Sequence, residues 1–214
     1  MQNTSEQLSS KVIHGEPIII TTPEPWQWDI LAKAFLNDPT LNFWLGEKTN
    51  EESLSKYFEA IVRDTLISGG TVFASPDQKA VFVWTWLGRD ADDTNEFKEN
   101  WYDVLDPEGV KRYYWLYEAG DLELDTDKIK KSMEPAYLAV HPDAQGKGYG
   151  GHIFKWILDY FDEKGYETPF ILASTRRSAK LYCPLLGFHH HKEVFAEGSG
   201  PESEPVAVYL KRNR

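Results

Sequence analysis

Cysteine is almost missing: Cys183 stands alone in 214 residues, so no disulfide can close within the chain, and the composition fits a reducing compartment. Long apolar runs are missing as well. Nothing approaches the roughly 20 residues that cross a bilayer, and the first ten residues have neither the basic start nor the apolar stretch of a secretion signal. These absences describe a soluble, cytosolic protein with no membrane partner. Basic clusters are also lacking. With 23 Lys and Arg against 34 Asp and Glu the net charge is −11, whereas binding along a nucleic acid needs a basic surface. An acidic field concentrates cationic amines and repels polyanions. No internal repeat is present, and 214 residues are enough for one well-buried core but short for two. We read 1–14 as a flexible tail and 15–214 as a single domain, working as a monomer or a homodimer.

What the chain has is an apolar content of 41%, with eight Trp and eleven each of Tyr and Phe, in alternating strand and helix patterns. Residues 16–22 are β-branched between prolines and predict a strand. Pro25 to Phe35 predicts a helix with proline in its first turn, and Glu51 to Ile67 a second that buries Leu54, Phe58, Ile61, Val62 and Thr65. Residues 71–75 and 80–87 predict a hairpin across Pro76 to Lys79. The segment 88–133 is acidic and aromatic. Trp101, Tyr102, Tyr113, Tyr114, Trp115 and Tyr117 stand beside Asp103, Asp106 and Glu118, and Asp106-Pro107-Glu108 has the cap-then-proline form of a helix start. Two helices are expected there, their aromatics either core or ligand cage. Further on, a helix over 151–164, a strand over 169–174, a helix from Arg176 to about Leu185, and strands over 186–195 and 205–210 complete the pattern.

The most informative stretch is Glu134 to Phe154, a strand that runs into a loop with Gly146, Gly148, Gly150 and Gly151 and then a helix. Such a loop admits close backbone approach, and the helix it opens offers unpaired N–H groups and a positive dipole end to a pyrophosphate. A P-loop is excluded because Lys147 is followed by Gly148 rather than Ser or Thr. A dinucleotide fingerprint fits in register at Gly146, Gly148 and Gly151, yet the chain lacks the repeated βα units such a fold requires.

Gln145-x-x-Gly148-x-Gly150 directly after Val140-His141-Pro142-Asp143, followed in order by helix, strand and Leu186-Gly187-Phe188, resembles the pyrophosphate loop of the Gcn5-related N-acetyltransferases (GNAT). The resemblance covers about Glu134 to Phe188 in motif and the first half in layout. It implies an α/β fold with a mixed, mostly antiparallel sheet splayed between its fourth and fifth strands and flanked by helices. The helical insert before the fourth strand is similar to that of puromycin-type N-acetyltransferases. It further implies acetyl-coenzyme A as co-substrate, held by Leu138, Ala139 and Val140, by the loop residues Gln145, Gly146, Lys147, Gly148, Tyr149, Gly150 and Gly151, and by Ser174 and Ser178. Ser178 replaces an asparagine of the relatives.

For the chemistry, the resemblance implies that Tyr182, eight residues after Ser174, protonates the departing thiolate. Counting back four residues from Gly187 lands on Cys183 instead. Glu134, six residues before Val140, matches the glutamate that deprotonates the amine, with Glu118, Asp121 or water as fallback bases. His189-His190-His191 is not a metal site: strand neighbours face opposite sides and no Cys or carboxylate cluster completes one. The histidines are expected on the acceptor pocket instead, whose specificity is assigned to the first helices, the insert and the 195–204 loop. The activity implied is acetyl transfer to a small, cationic or aromatic amine by direct attack in a ternary complex. The alternatives are a peptide acceptor or a non-catalytic acyl-coenzyme A module.

Overall fold

A computed structural model of the chain describes residues 15–46, 49–88 and 106–212. The expected tail and the first part of the insert, with Trp101, Tyr102 and Asp103, lie outside the described residues. The described elements run β1 (Ile18–Ile20), α1 (Pro25–Phe35), α2 (Pro39–Leu45), α3 (Glu51–Ile67), β2 (Thr71–Ala74), β3 (Ala80–Trp86), α4 (Pro107–Gly120) and β4 (Met133–Val140). They continue with α5 (Tyr149–Glu163), β5 (Phe170–Ala173), α6 (Arg176–Leu186), β6 (His189–Val194) and β7 (Ala207–Lys211). Among these residues no helix is long and apolar enough to cross a membrane.

The helix starts follow from local chemistry. Asn50 caps α3 by accepting from Ser53 N at 3.0 Å, and Asp106 caps α4 by accepting from Gly109 N at 2.7 Å. Asp38 caps α2 by accepting from Thr40 N and Leu41 N, both at 3.0 Å. Sequence reasoning missed α2, although Asp38-Pro39 repeats the cap-then-proline signal used at Asp106-Pro107. Of the two helices expected in the insert, the described part holds α4, followed by a single 3-10 turn at Ile129–Lys131.

The strands form two antiparallel sheets, ordered β1-β2-β3-β4 and β5-β7-β6. They meet where β4 and β5 begin, through a parallel bridge between Ser132 and Glu167, with Met133 N donating to Glu167 O at 2.8 Å. Beyond that bridge β4 pairs with β3 alone, so its other edge opens toward β5 as a cleft. Core packs on both faces. On one, Leu31, Leu54, Phe58 and Leu116 cover Val81, Val83 and Ala139; on the other, Phe154, Ile157 and Phe161 of α5 cover Phe82 and Trp84.

One irregularity in β4 matters for function. Val83 pairs with Tyr137 and Trp84 with Pro135, so Ala136 is the extra residue of a bulge. Strict alternation would put Glu134 on the face of Leu138 and Val140. The extra residue shifts the register by one and turns Glu134 to the opposite face, toward α4 and the helical layer that covers Tyr137 and Ala139.

Candidate active site

The glycine loop leaves β4 through a 3-10 turn at Pro142–Ala144 and enters α5 at Gly148, whose φ of 88° is a backbone state that favours glycine. Side chains shape the loop without plugging it. Gln145 Nε2 donates to Val140 O at 3.2 Å, Lys147 Nζ donates to Asp143 O at 2.7 Å, and the Tyr149 hydroxyl donates to Asp77 in the β2–β3 turn. No side chain caps the start of α5, so its first amides remain available to an anion.

From this loop a cavity of about 840 Å³ runs between β4 and β5 and on beneath α1 to α4. Of the expected coenzyme residues, Leu138, Val140, Gln145, Gly148, Gly150, Gly151, Ser174 and Ser178 line it. Ala139, Gly146, Lys147 and Tyr149 do not. Ala139 is buried on the helix-covered face of the sheet, Lys147 folds back on the loop, and Tyr149 turns to Asp77.

On α6, Ser178 and Tyr182 lie one turn apart, as do Leu181 and Leu185, and all four reach the cavity. Cys183 sits about 100° further round the helix, packed against the core, and is not on the cavity wall. Burial pushes the Tyr182 phenol up to about 12, with the charge of nearby Asp38 adding to the effect, so the hydroxyl stays protonated at neutral pH.

Asp38 is the residue the sequence reading passed over. Its carboxylate lines the same cavity and is hydrogen-bonded by the Ser174 hydroxyl as well as by the two α2 amides. Burial raises its pKa above the ordinary carboxylate value, although those three hydrogen bonds pull it down. Asp38, Ser174 and Tyr182 therefore converge at the split.

Glu134 lies elsewhere in the cavity, only 7% exposed. It accepts from the Tyr117 hydroxyl at 2.9 Å, and Thr85 Oγ1 stands 3.4 Å from its other oxygen. Burial, and then the charge of Glu134, raise the Tyr117 pKa far above its ordinary value, which keeps that hydroxyl a donor. The aromatics of the insert divide. Tyr113 and Tyr117 are on the cavity wall, while Tyr114 and Trp115 are exposed.

Three expectations fail. Glu118 and Asp121 are exposed and not on the wall, because α4 ends there in a left-handed turn at Asp121 whose carboxylate faces Lys192. None of His189, His190 and His191 lines the cavity, since β6 is the outer strand of its sheet and lies beyond β7. The 195–204 loop is also off the wall, held by Arg176, which donates to Pro201 O and Ser203 O at 2.9 Å each.

The model of the acetyltransferase (GNAT) family matches residues 81–188, half of the chain. The chain belongs to that family. It is an acetyl-coenzyme A-dependent acetyltransferase. No curated protein matches it in sequence. Among solved structures it is similar to a Corynebacterium glutamicum protein described as histone acetyltransferase HPA2 and related acetyltransferase, at 17% identity over 94% of this chain and 98% of that one, TM-score 0.59. It is also similar to arylalkylamine N-acetyltransferase 2 from Aedes aegypti, at 16% identity over 92% and 99%, TM-score 0.58. A variant of agmatine N-acetyltransferase in its apo form gives 13% identity over 92% and 99%, TM-score 0.56. At such identities the likeness carries the fold alone.

The GNAT loop fits a pyrophosphate: its helix end is uncapped, and space is open beside it. A Cβ built on Gly150 would find only Val140 within 4 Å, at 3.8 Å. Gly148→Asp is therefore expected to weaken acetyl-coenzyme A binding at least about 100-fold, because it sets a charged side chain beside the anion on a left-handed backbone. Calorimetry on the folded variant checks this, and unchanged affinity would move the pyrophosphate elsewhere.

Proposed function

We propose that this acetyltransferase moves the acetyl group of acetyl-coenzyme A onto the amine of a small, cationic or aromatic acceptor. The observation that carries the reading is that one cavity is continuous from donor loop to acceptor end. It joins the glycine loop, the split at Asp38, Ser174 and Tyr182, and an inner end walled by Trp44, Tyr57, Tyr113 and Tyr117. Donor and acceptor then meet in one space, and no covalent enzyme intermediate is needed. The names of two structural neighbours, an arylalkylamine and an agmatine N-acetyltransferase, lend support to a small amine, while a third is described as a histone acetyltransferase and keeps the peptide acceptor as the runner-up.

In this mechanism the donor's pantetheine arm lies in the split, with its thioester carbonyl polarised by a backbone N–H of the open β4 edge. Asp38 takes a proton from the acceptor's ammonium, and the freed nitrogen lone pair attacks the carbonyl carbon. A C–N bond forms and the C–S bond breaks. The electron pair leaves with sulfur, Tyr182 donates its proton to the thiolate, and the second proton shed by the acylated nitrogen passes through water to restore the Tyr182 phenol. Asp38 is preferred to Glu134 as the base because it shares the split with Ser174 and Tyr182, and its raised pKa makes it a better proton acceptor than an ordinary aspartate.

Coenzyme A release, followed with a thiol reagent across alkyl diamines, arylalkylamines, amino acids and short peptides, tests the proposal. Acetylated small amines are the expected products. Donor binding without thiol release from any acceptor would leave a non-catalytic acyl-coenzyme A module, and turnover with peptides alone would replace the small-amine reading.

A further inference from the structure

The inner end of the cavity has a chemistry that acetyl transfer to a simple amine does not use. Glu134 and Asp64 both line it and both are buried. They belong to the same region. Thr65, next to Asp64 on α3, lies within about 5 Å of the Trp84 carbonyl, since a Cβ built at Gly70 would lie 2.6 Å from both the Thr65 side chain and that oxygen. Thr85, the next residue along β3, is the cross-strand partner of Glu134. Among the described lining residues the one lysine or arginine is Lys155, which stands on α5 beside the glycine loop. The charges of the cavity are thus sorted, positive toward the donor loop and negative toward the acceptor end.

Two further features point to a polar ligand there. The Thr65 hydroxyl and the Trp44 indole N–H belong to residues on the cavity wall, are buried, and have no hydrogen-bond partner among the described residues. A buried donor left unpaired costs about 1–3 kcal/mol, which a polar guest or its water can recover. Aromatic rings complete the wall. The faces of Tyr57, Tyr113 and Tyr117 attract a cation and accept the methylene chain that carries it.

The two carboxylate stations are well separated. β4 and β5 run parallel from the Ser132–Glu167 bridge, and Ser174, which holds Asp38, lies about five strand positions further along than Glu134. At a rise of about 3.3 Å per residue this is roughly 17 Å along the sheet, shortened by the reach of the two acidic side chains.

Resting on the acetyltransferase reading above, we propose that the acceptor is a dication: one amine is acetylated at Asp38, and a second ammonium or guanidinium group is seated at Glu134. Tyr117 acts as a positioning residue, its hydroxyl holding the Glu134 carboxylate toward the guest. Glu134 is then the determinant of acceptor specificity.

The test compares α,ω-diamines from butane to octane with the monoamines of equal length, reading thiol release. The parent enzyme is expected to favour a diamine over its matched monoamine by about 10- to 100-fold in kcat/KM, the range of one charge-assisted hydrogen bond with an ion pair. Most of that factor lies in KM. Glu134→Gln should collapse the ratio to within about threefold, again through KM, and Tyr117→Phe should lower it part-way. Should the near-isosteric Gln variant fail to fold, Glu134→Asp and Tyr117→Phe supply the same comparison. A parent that turns over monoamines as efficiently as diamines overturns this inference while leaving acetyl transfer in place. So does a diamine preference that persists undiminished in the Glu134→Gln variant. Acetyl-coenzyme A binding with no thiol release from any amine would instead sink the acetyltransferase reading itself, and the inference with it.

Discussion

Tyr182→Phe lowers turnover by about 10²- to 10⁴-fold, the loss expected for one positioned proton donor, while acetyl-coenzyme A affinity stays close to that of the parent. The substitution keeps the ring. Tyr182 meets Phe154 edge-on with centroids 5.5 Å apart, a contact phenylalanine preserves, so the hydroxyl is what is removed. A phenol at about 12 looks a poor acid for a thiolate, since each pKa unit of mismatch costs about 1.4 kcal/mol. The burial that raises the phenol also raises the thiolate formed beside it, because both anions lose the same water. The pair stays matched, and the hydroxyl is protonated over the whole working range. Single-turnover kinetics separates this chemical step from donor binding. Cys183→Ser is the control and is expected to resemble the parent, since Cys183 is off the cavity wall. Loss of turnover in the cysteine variant and not the tyrosine variant would reverse the assignment.

The choice between Tyr182 and Cys183 illustrates what a sequence can and cannot specify. Counting from Gly187 favoured the cysteine and counting from Ser174 the tyrosine. α6 runs through Pro184 to Leu186 and closes at Gly187, so the extra residue lengthens the far end of the helix and leaves the Ser174, Ser178 and Tyr182 end in place. Counted from Ser174, Tyr182 falls one helical turn beyond Ser178, on the cavity wall, because a helix transmits that spacing rigidly.

The donor half was legible because its pattern is local: glycines, a strand before them and a helix after them. The acceptor half was not, for two physical reasons. The bulge at Ala136 breaks the alternation that would tell which way Glu134 faces, and a bulge follows from pairing with β3 rather than from the strand's own residues. Asp38 gains its importance from Ser174, a contact between residues far apart in the chain. Its cap-and-proline start was readable, but the helix it opens is only seven residues long, too short for periodicity to announce. The same limit applies to the histidines: nothing in three consecutive side chains says that β6 sits outside β7.

Asp38→Asn is expected to cost about 10²- to 10⁴-fold in kcat/KM near neutral pH and progressively less as the pH rises. The argument turns on which species enters the site. With Asp38 ionised, the acceptor binds as an ammonium and is deprotonated in place, so kcat/KM climbs through the raised Asp38 pKa and then levels off. Without the carboxylate, only the free amine reacts. Its fraction grows tenfold per pH unit until the amine's own pKa, near 10 for an alkylamine like the lysine side chain, and the variant therefore gains on the parent throughout that interval. Asparagine keeps an oxygen for the Thr40 and Leu41 amides, so the cap on α2 is weakened rather than lost. Glu134→Gln provides the contrast. If Glu134 seats the acceptor's distant charge, its removal displaces the profile downward by a constant factor wherever that charge persists, with no change of slope. A Glu134→Gln profile that acquires the steep rise, beside an Asp38→Asn profile that runs parallel to the parent, would make Glu134 the base and return Asp38 to the capping of α2.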